Sequence, residues 1–185
     1  PRFPRFAWLS WFSRVSWLTR AVVKQLVLTV TRDCNLRCSY CPTAKDGWPS
    51  LSPSDAQASI RLFSDMYGGG SVKIFGGEPL LVPEVVRAAM DEARSNPRIR
   101  WVYLSTNGLG LNEEWLDYLS TYPKAILTIS MDGKPKDHRV HRRAAHKEVP
   151  DTYDHILQLR PRLLKMPRVV VTQTIAPSTA YRASS

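Results

Sequence analysis

Short apolar runs with strand character alternate with amphipathic helix patterns along most of this 185-residue chain. The runs occupy residues 26–31, 72–75, 101–105, 126–131 and 168–175. The helix patterns between them begin after Pro53, at Pro83, at Asn112 and at Asp151. Strands separated by helices in this order pair in parallel through right-handed crossovers. The sequence therefore predicts an α/β fold of five βα units, either an open partial barrel or a doubly wound sheet, since a complete barrel needs eight units.

Two local expectations concern the helices. The apolar side of the first helix is predicted to carry Ile60, Leu62, Phe63 and Met66. Pro161 is expected to end the last helix near Leu159, because proline lacks the backbone donor that a helix interior needs.

Composition places the chain among globular proteins, since 43% of its residues are hydrophobic and 10% are aromatic. It contains no run of about 18 apolar residues, the length that a membrane-spanning helix needs. The net charge of +10 is concentrated at the two ends. Residues 1–25 carry five basic and no acidic side chains, and residues 134–185 carry eleven basic and four acidic ones. This uneven distribution argues against a uniformly basic binder of polyanions.

Residues 1–25 are predicted to form a basic amphipathic helix or extension, separate from a core domain over residues 26–185. Helical spacing gives this segment one apolar side, at Trp8, Trp11, Phe12, Val15, Leu18 and Val22. Two interpretations stay open: the helix packs on the domain, or it makes peripheral contact with a membrane or a partner. The chain begins with Pro1 rather than Met, so we expect it to be part of a longer gene product.

All three cysteines, Cys34, Cys38 and Cys41, lie within eight residues. An odd number of neighbouring thiols is a poor disulfide framework and is typical of a reduced, cytoplasmic protein that uses them as metal ligands. Three thiolates suit a [4Fe–4S] cluster and leave one of its irons open for chemistry. Zinc stays open as an alternative, with its fourth ligand drawn from His138, His141, His146 or His155. A reactive-thiol enzyme is a third interpretation, although no neighbouring base supports it.

Turn-forming polar sequences follow or end the later strands. They are Gly76-Gly77-Glu78-Pro79, Ser105-Thr106-Asn107-Gly108, Ser130-Met131-Asp132-Gly133 and Thr172-Gln173-Thr174. Taken singly, Ser105-Thr106-Asn107-Gly108 and Asp132-Gly133 are typical of a turn. Because ligands bind at the carboxyl ends of parallel strands, their recurrence predicts one shared site at this edge of the sheet, together with the cysteines.

The segment Thr31–Pro42 resembles the signature loop of radical S-adenosylmethionine (radical SAM) enzymes, and Phe75–Leu80 resembles their second motif. The later strand ends, followed by Asp137–Arg139 and Arg142, are similar to the peptide- and protein-modifying members, the SPASM or sulfatase-maturase-like enzymes. The resemblance covers residues 26–178. It implies a partial (β/α)6-type open barrel of parallel strands, of which five βα units are visible. Either the chain is truncated before the sixth unit, or it is a minimal core that lacks auxiliary clusters.

The resemblance also implies a role for each matching residue. Cys34, Cys38 and Cys41 would hold the [4Fe–4S] cluster, whose open iron takes the amino and carboxylate groups of S-adenosylmethionine. The implied cofactor-binding residues are Tyr40 near the adenine, Gly76 and Gly77 beside the methionine, Glu78 on its ammonium, Ser130 and Asp132 on the ribose with Ser105 or Asn107 assisting, and Arg142 or Arg139 on the carboxylate. Pocket positions are also expected for Gln173 and Thr174.

The implied activity is reductive cleavage of S-adenosylmethionine to a 5′-deoxyadenosyl radical, which abstracts hydrogen from a substrate that we expect to be a peptide or protein. The expected redox partner is an electron donor such as flavodoxin or ferredoxin. Two alternatives stay open. One is a radical SAM enzyme that modifies RNA, with the basic C-terminal third contacting phosphates, and the other is a non-catalytic zinc or nucleic-acid-binding module.

Overall fold

The computed structural model of the protein describes residues 24–45 and 47–175. The predicted N-terminal helix falls outside the described residues except at its end, so both interpretations of it stay predictions. The division between residues 1–25 and 26–185 stays a prediction as well. Among the described helices, none is long and apolar enough to cross a membrane.

Five strands form one parallel sheet, and two short strands form a separate antiparallel ribbon. In chain order the strands are β1 (Gln25–Thr29), β2 (Leu36–Cys38), β3 (Gly70–Phe75), β4 (Ile99–Thr106), β5 (Ala125–Ser130), β6 (Arg142–Ala144) and β7 (Val169–Thr172). The sheet has the order β1-β3-β4-β5-β7, and the ribbon consists of β2 and β6. The sheet thus winds in one direction, as a barrel does, whereas a doubly wound sheet reverses its order at a switch point. The prediction of a partial open barrel is confirmed.

Helices connect the strands, and three of them begin at side-chain caps. The helices are α1 (Pro53–Tyr67), α2 (Pro83–Ser95), α3 (Glu113–Thr121), α4 (Pro135–His141) and α5 (Thr152–Leu163), with a 3₁₀ turn at Pro79–Leu81. Ser52, Asn112 and Asp151 each accept a hydrogen bond from the backbone N–H three residues further on, at 2.9–3.1 Å. These caps satisfy donors that the first turn of a helix leaves unpaired, which confirms the predicted starts of α1, α3 and α5.

The core lies between the sheet and α1, α2 and α3. One row of side chains crosses the sheet in register, from Leu28 through Ile74 and Leu104 to Leu127, and each is at most 5% exposed. Alternation along the strands turns the next residues to the opposite face, where Val27 is 53% exposed. One face of the sheet is therefore sealed by helices, and the other remains accessible.

The sequence assigned two residues of α1 to the wrong face. Ile60 and Phe63 are buried as predicted, but Leu62 and Met66 are 60% and 64% exposed. A helix turns by about 100° per residue, so Leu62 lies about 200° away from Ile60, on the far side of the helix. Met66 follows Leu62 by four residues and therefore shares its exposed side.

The last helix and the last strand also differ from expectation. Helix α5 continues through Pro161 to Leu163, because a proline this near the end removes only one backbone donor and Leu164 N–H still donates to Arg160 O at 3.0 Å. Strand β7 is shorter than the predicted 168–175. The ribbon and α4 were not predicted. Strands of three residues and a helix of seven carry too few side chains for a periodic pattern.

Ile60→Ala should lower the free energy of unfolding by about 2–5 kcal/mol, because it leaves a cavity at a fully buried position. Leu62→Ala removes the same number of carbon atoms from an exposed position of the same helix and should change it by less than about 0.5 kcal/mol. Urea unfolding followed by circular dichroism measures both values. Similar losses for the two variants would show that α1 packs through a different face.

Candidate active site

The three cysteines lie on the cysteine loop, defined here as residues 30–45, which leaves the carboxyl end of β1. All three are free thiols of intermediate exposure. A negative charge on Cys34 or Cys41 would raise the pKa of Cys38 further. Burial is the largest factor and raises the pKa of the Cys34 and Cys38 thiols.

Cys41 differs from the other two thiols because donors surround its sulfur. The Lys45 ammonium donates to Cys41 Sγ at 3.3 Å, and Thr43 donates as well. Burial opposes ionisation here too, but these donors outweigh it and lower the pKa of the Cys41 thiol. Backbone N–H of Leu36 donates to Cys34 Sγ at 3.4 Å. The loop thus supplies hydrogen bonds that favour thiolates.

Backbone hydrogen bonds fix the cysteine loop against the end of β3. Gly77 N–H donates to Thr31 O and Glu78 N–H donates to Asp33 O, both at 2.8 Å. The two chains approach so closely that a Cβ on Gly77 would lie 2.2 Å from Asp33 O. Gly76 has φ +156°, and a Cβ on it would lie 2.3 Å from Thr31 O. The paired glycines therefore have a structural reason in this fold, which is to let the cysteine loop pack on the sheet.

Glu78 continues this connection to the end of β4. Its carboxylate is 1% exposed and accepts three hydrogen bonds: from Thr106 Oγ1 at 2.7 Å, from Asn107 N–H at 2.7 Å and from Leu80 N–H at 3.1 Å. Burial raises the pKa of this carboxyl, and the three donors only partly offset that effect. The buried acceptor thus joins the ends of two neighbouring strands.

Asn107 connects Glu78 to the cysteine loop. Its Nδ2 donates to Asn35 Oδ1 at 2.7 Å and lies 4.0 Å from Cys34 Sγ. Ser105, two residues earlier on the same face of β4, has a buried hydroxyl without a hydrogen-bond partner among the described residues. An unpartnered buried hydroxyl costs free energy, so this orphan marks a position where a ligand group fits.

The end of β5 carries a buried ion pair. Arg142 Nε and Nη2 donate to the two Asp132 carboxylate oxygens at 2.8 and 3.0 Å, and the two side chains are 8% and 5% exposed. The Tyr40 hydroxyl and Thr174 N–H donate to the same carboxylate. Burial alone would raise the pKa of Asp132, but these donors outweigh it and lower the pKa. The network joins the cysteine loop to the ends of β5 and β7 and to β6.

His138 contacts the backbone of Asp132 and is 0% exposed. Its Nδ1 accepts from Asp132 N–H at 3.2 Å, so in the neutral ring Nε2 carries the proton and donates to Thr152 Oγ1 at 2.6 Å. Burial lowers the pKa of this imidazole, which keeps it neutral. Both ring nitrogens are occupied, so His138 does not serve as a zinc ligand in this arrangement.

The donor set fits an iron–sulfur cluster better than a single ion. Within residues 24–45 and 47–175, no three His, Cys, Asp or Glu side chains are arranged to hold one metal ion. The thiols are nevertheless close enough to influence one another electrostatically. A cubane is larger than one ion, so its thiolate ligands stand further apart than those of tetrahedral zinc. Three neighbouring thiols and the orphaned Ser105 hydroxyl match what a cluster and its ligand need.

Comparison with known proteins decides the family. The sequence model of the Radical SAM superfamily matches residues 28–171. The chain belongs to the radical SAM superfamily. Because the family uses a [4Fe–4S] cluster and S-adenosylmethionine, the recognition and cofactor predictions are confirmed at the level of the family.

This radical SAM chain is similar to curated proteins and to solved structures. The GTP 3′,8-cyclase of Chlorobaculum tepidum is 31% identical over 160 residues, which are 76% of this chain and 47% of that protein. The solved structure of anSMEcpe with bound AdoMet has a TM-score of 0.70 at 21% identity, over 88% of this chain and 46% of that chain. Streptococcus suis SuiB bound to precursor peptide SuiA gives 0.58 at 17% identity, over 94% and 45%. This chain thus spans about half the length of these proteins.

The predicted site residues gather at one edge of the sheet, in two groups. Gly76, Gly77, Glu78 and Asn107 surround the start of the cysteine loop, whereas Tyr40, Asp132 and Arg142 surround its end. Ser130 is half-buried at the end of β5, and the Gln173 amide lies beside Gly133. Arg139 instead pairs with Asp151 and Asp154. The roles of these residues toward the cofactor stay predictions.

Sequence reasoning missed Asn35 and Lys45 and gave His138 only a zinc role. Asn35 and Lys45 both lie within the cysteine loop, and their polarity beside the cysteines was the available signal. His138 lies only six residues after Asp132, and the helix that contains it places its ring against the Asp132 backbone.

Gly77→Ala should prevent the cysteine loop from packing on β3, because the added Cβ meets two backbone carbonyls within 2.4 Å. The expected result is a loss of most bound iron after anaerobic reconstitution, measured as iron per folded chain. Gly47→Ala serves as a control for backbone strain without a clash, since Gly47 has φ +73° but its Cβ would meet nothing within 4 Å, and it should retain iron. Full iron binding by Gly77→Ala would contradict the role assigned to this contact.

Proposed function

We propose that this chain forms the S-adenosylmethionine-cleaving core of a radical enzyme. The observation that carries the proposal is the position of three free thiols on one loop, which hydrogen bonds fix to the ends of β3 and β4. Cys34, Cys38 and Cys41 would each bind one iron of a [4Fe–4S] cluster. A reduced cluster held there would supply the one electron that breaks the 5′-carbon–sulfur bond of S-adenosylmethionine, which would give methionine and a 5′-deoxyadenosyl radical able to abstract hydrogen from a substrate.

Unused hydrogen-bonding positions support roles for Glu78 and Arg142 on the methionine end. A carboxylate offers about four acceptor positions. Glu78 uses three, two on Oε1 and one on Oε2, which leaves a position on Oε2 for the ammonium. Arg142 uses Nε and Nη2 for Asp132, so Nη1 remains for the carboxylate. Bidentate pairing holds that guanidinium in one orientation.

The nucleoside end is assigned differently from the sequence prediction. Asp132 already accepts four hydrogen bonds, so in this arrangement its carboxylate has no acceptor position left for the ribose. We assign the ribose hydroxyls to Ser130 and Ser105, whose hydroxyl is unpartnered. The Tyr40 hydroxyl donates to Asp132 and its ring lies beside Arg142 and His141. We keep for this ring the predicted contact with the adenine.

The substrate that we propose is a peptide or protein, in line with the strand-end motifs. A purine nucleotide is the second candidate, because the Chlorobaculum tepidum relative, 31% identical, is a GTP 3′,8-cyclase. The modification of RNA stays an untested prediction.

Cys38→Ala should abolish both cluster assembly and formation of 5′-deoxyadenosine, because two thiolates cannot replace three ligands. The measurement is iron and sulfide content, together with chromatography of 5′-deoxyadenosine after anaerobic incubation with dithionite and S-adenosylmethionine. Ser39→Ala changes the neighbouring residue and should retain both. Cleavage of S-adenosylmethionine by Cys38→Ala would overturn the proposal.

The substrate class is tested with the full-length protein, reconstituted and reduced by dithionite. A substrate accelerates 5′-deoxyadenosine release above the rate without substrate. S-adenosylmethionine deuterated at the 5′ position distinguishes irreversible from reversible hydrogen abstraction, because the label leaves the 5′ carbon only when abstraction reverses. We expect acceleration by a peptide pool and none by GTP. Acceleration by GTP alone would replace the peptide assignment with the nucleotide one.

A further inference from the structure

The ribbon of β2 and β6 has two chemically different faces. Its register pairs Leu36 with Ala144, Arg37 with Arg143, and Cys38 with Arg142. Side chains alternate across a strand, so Leu36, Cys38 and Arg142 share the inner face, where Leu36 is 1% exposed. The outer face carries Arg37 and Arg143, both exposed. Arg37 on this face is the neighbour in β2 of Cys38, a predicted cluster ligand.

The two outward arginines form a cross-strand pair of like charge, which destabilises an antiparallel ribbon. Neither pairs with a carboxylate among the described residues. Arg37 Nη1 donates to Cys34 O at 2.7 Å and Leu36 O at 3.0 Å, and Arg143 Nε donates to Val140 O at 3.1 Å. Carbonyl contacts position the two guanidinium groups but leave their charge unneutralised. A locally unfavourable arrangement of this kind is expected where function requires it.

Further positive charge extends from the ribbon along α4. Residues 134–147 contain six lysines and arginines and a single acidic residue, Asp137, which is 8% exposed. A concave surface of about 570 Å³ is lined there by Lys134, Pro135, Lys136, Arg139 and Val140. A second one, of about 330 Å³, connects α4 to Arg142 and Arg143. The nearby carboxylates Asp151 and Asp154 both pair with Arg139.

We infer that the outer face of the ribbon, with Arg37 and Arg143 at its centre, is the docking surface for an acidic one-electron carrier protein. The inference rests on the proposed function, which requires one electron per cleavage. A reduced flavin or iron–sulfur carrier loses one electron, the cluster gains it, and no bond forms or breaks in the step. Consecutive residues are about 3.8 Å apart, so a carrier docked over Arg37 approaches the Cys38 ligand closely. Transient redox complexes use small interfaces, and charge complementarity mainly increases their association rate.

An electron carrier fits this surface better than RNA does. The six residues of the ribbon include no aromatic side chain, on which single-stranded bases would stack. The unpaired charges are centred on the strand that holds Cys38, which an electron carrier must approach and an RNA need not.

The test compares two reductants of the reconstituted full-length protein at low salt. Stopped-flow absorbance measures the rate of cluster reduction by reduced flavodoxin, which is acidic, and by dithionite, which is too small to need a docking surface. Arg143→Glu should lower the ratio of flavodoxin-driven to dithionite-driven rates by about tenfold. The loss should disappear at about 1 M salt, where the Debye length is about 3 Å.

Two variants serve as controls for charge and position. Arg143→Lys keeps the charge and should keep the rate ratio. Arg100→Glu makes the same charge reversal at an exposed residue near the amino end of β4, away from the cysteine loop, and should also keep the rate ratio. An unchanged ratio in Arg143→Glu, or an equal fall in Arg100→Glu, would overturn the inference. So would an unchanged ratio accompanied by loss of binding to a single-stranded RNA, which would assign the surface to nucleic acid.

The outcome is separable from that of the proposed function. Cluster reduction is followed without S-adenosylmethionine, so the docking result stands whether or not 5′-deoxyadenosine forms. Failure of the dithionite-reduced protein to release 5′-deoxyadenosine would contradict the proposed function alone.

Discussion

The close backbone contact between the cysteine loop and the end of β3 is the constraint on which the site depends. It requires two residues without side chains, and Gly76 and Gly77 meet that requirement. The contact carries Glu78 inward, where its buried carboxylate needs donors and finds them at the end of β4. A loop of thiols, which on its own would sample many conformations, is thereby held to a sheet whose face is a packed core.

The second anchor is ionic. Removing Asp132 and Arg142 from water costs free energy that their mutual attraction offsets only with good geometry, so such a pair is weak evidence for stability. Its bidentate contact fixes orientation instead. It holds β6 and, through Tyr40, the end of the cysteine loop, which explains how a ribbon of two three-residue strands persists beside the sheet. The same arrangement turns Arg37 and Arg143 outward without carboxylate partners.

Strand and helix order followed from the alternation of apolar runs, and the convergence of strand ends followed from parallel pairing. What failed depended on details of less than one helical turn or on contacts distant in sequence. Leu62 and Met66 are apolar, but they lie outside the side of α1 that packs in the core. The ribbon had no periodic signal, because its partners, Leu36–Cys38 and Arg142–Ala144, are short and far apart in the chain. The motif assigned Asp132 to a ligand, whereas only the three-dimensional structure shows its four hydrogen-bond acceptor positions already in use.

The most direct test of the central claim is Mössbauer spectroscopy of the anaerobic protein reconstituted with iron-57 and sulfide, with and without S-adenosylmethionine. Three thiolate ligands from one loop predict four irons per chain, of which one site changes its spectrum when S-adenosylmethionine is added. A chain that binds zinc in place of a cluster, or a cluster whose four sites are all indifferent to S-adenosylmethionine, would contradict the account.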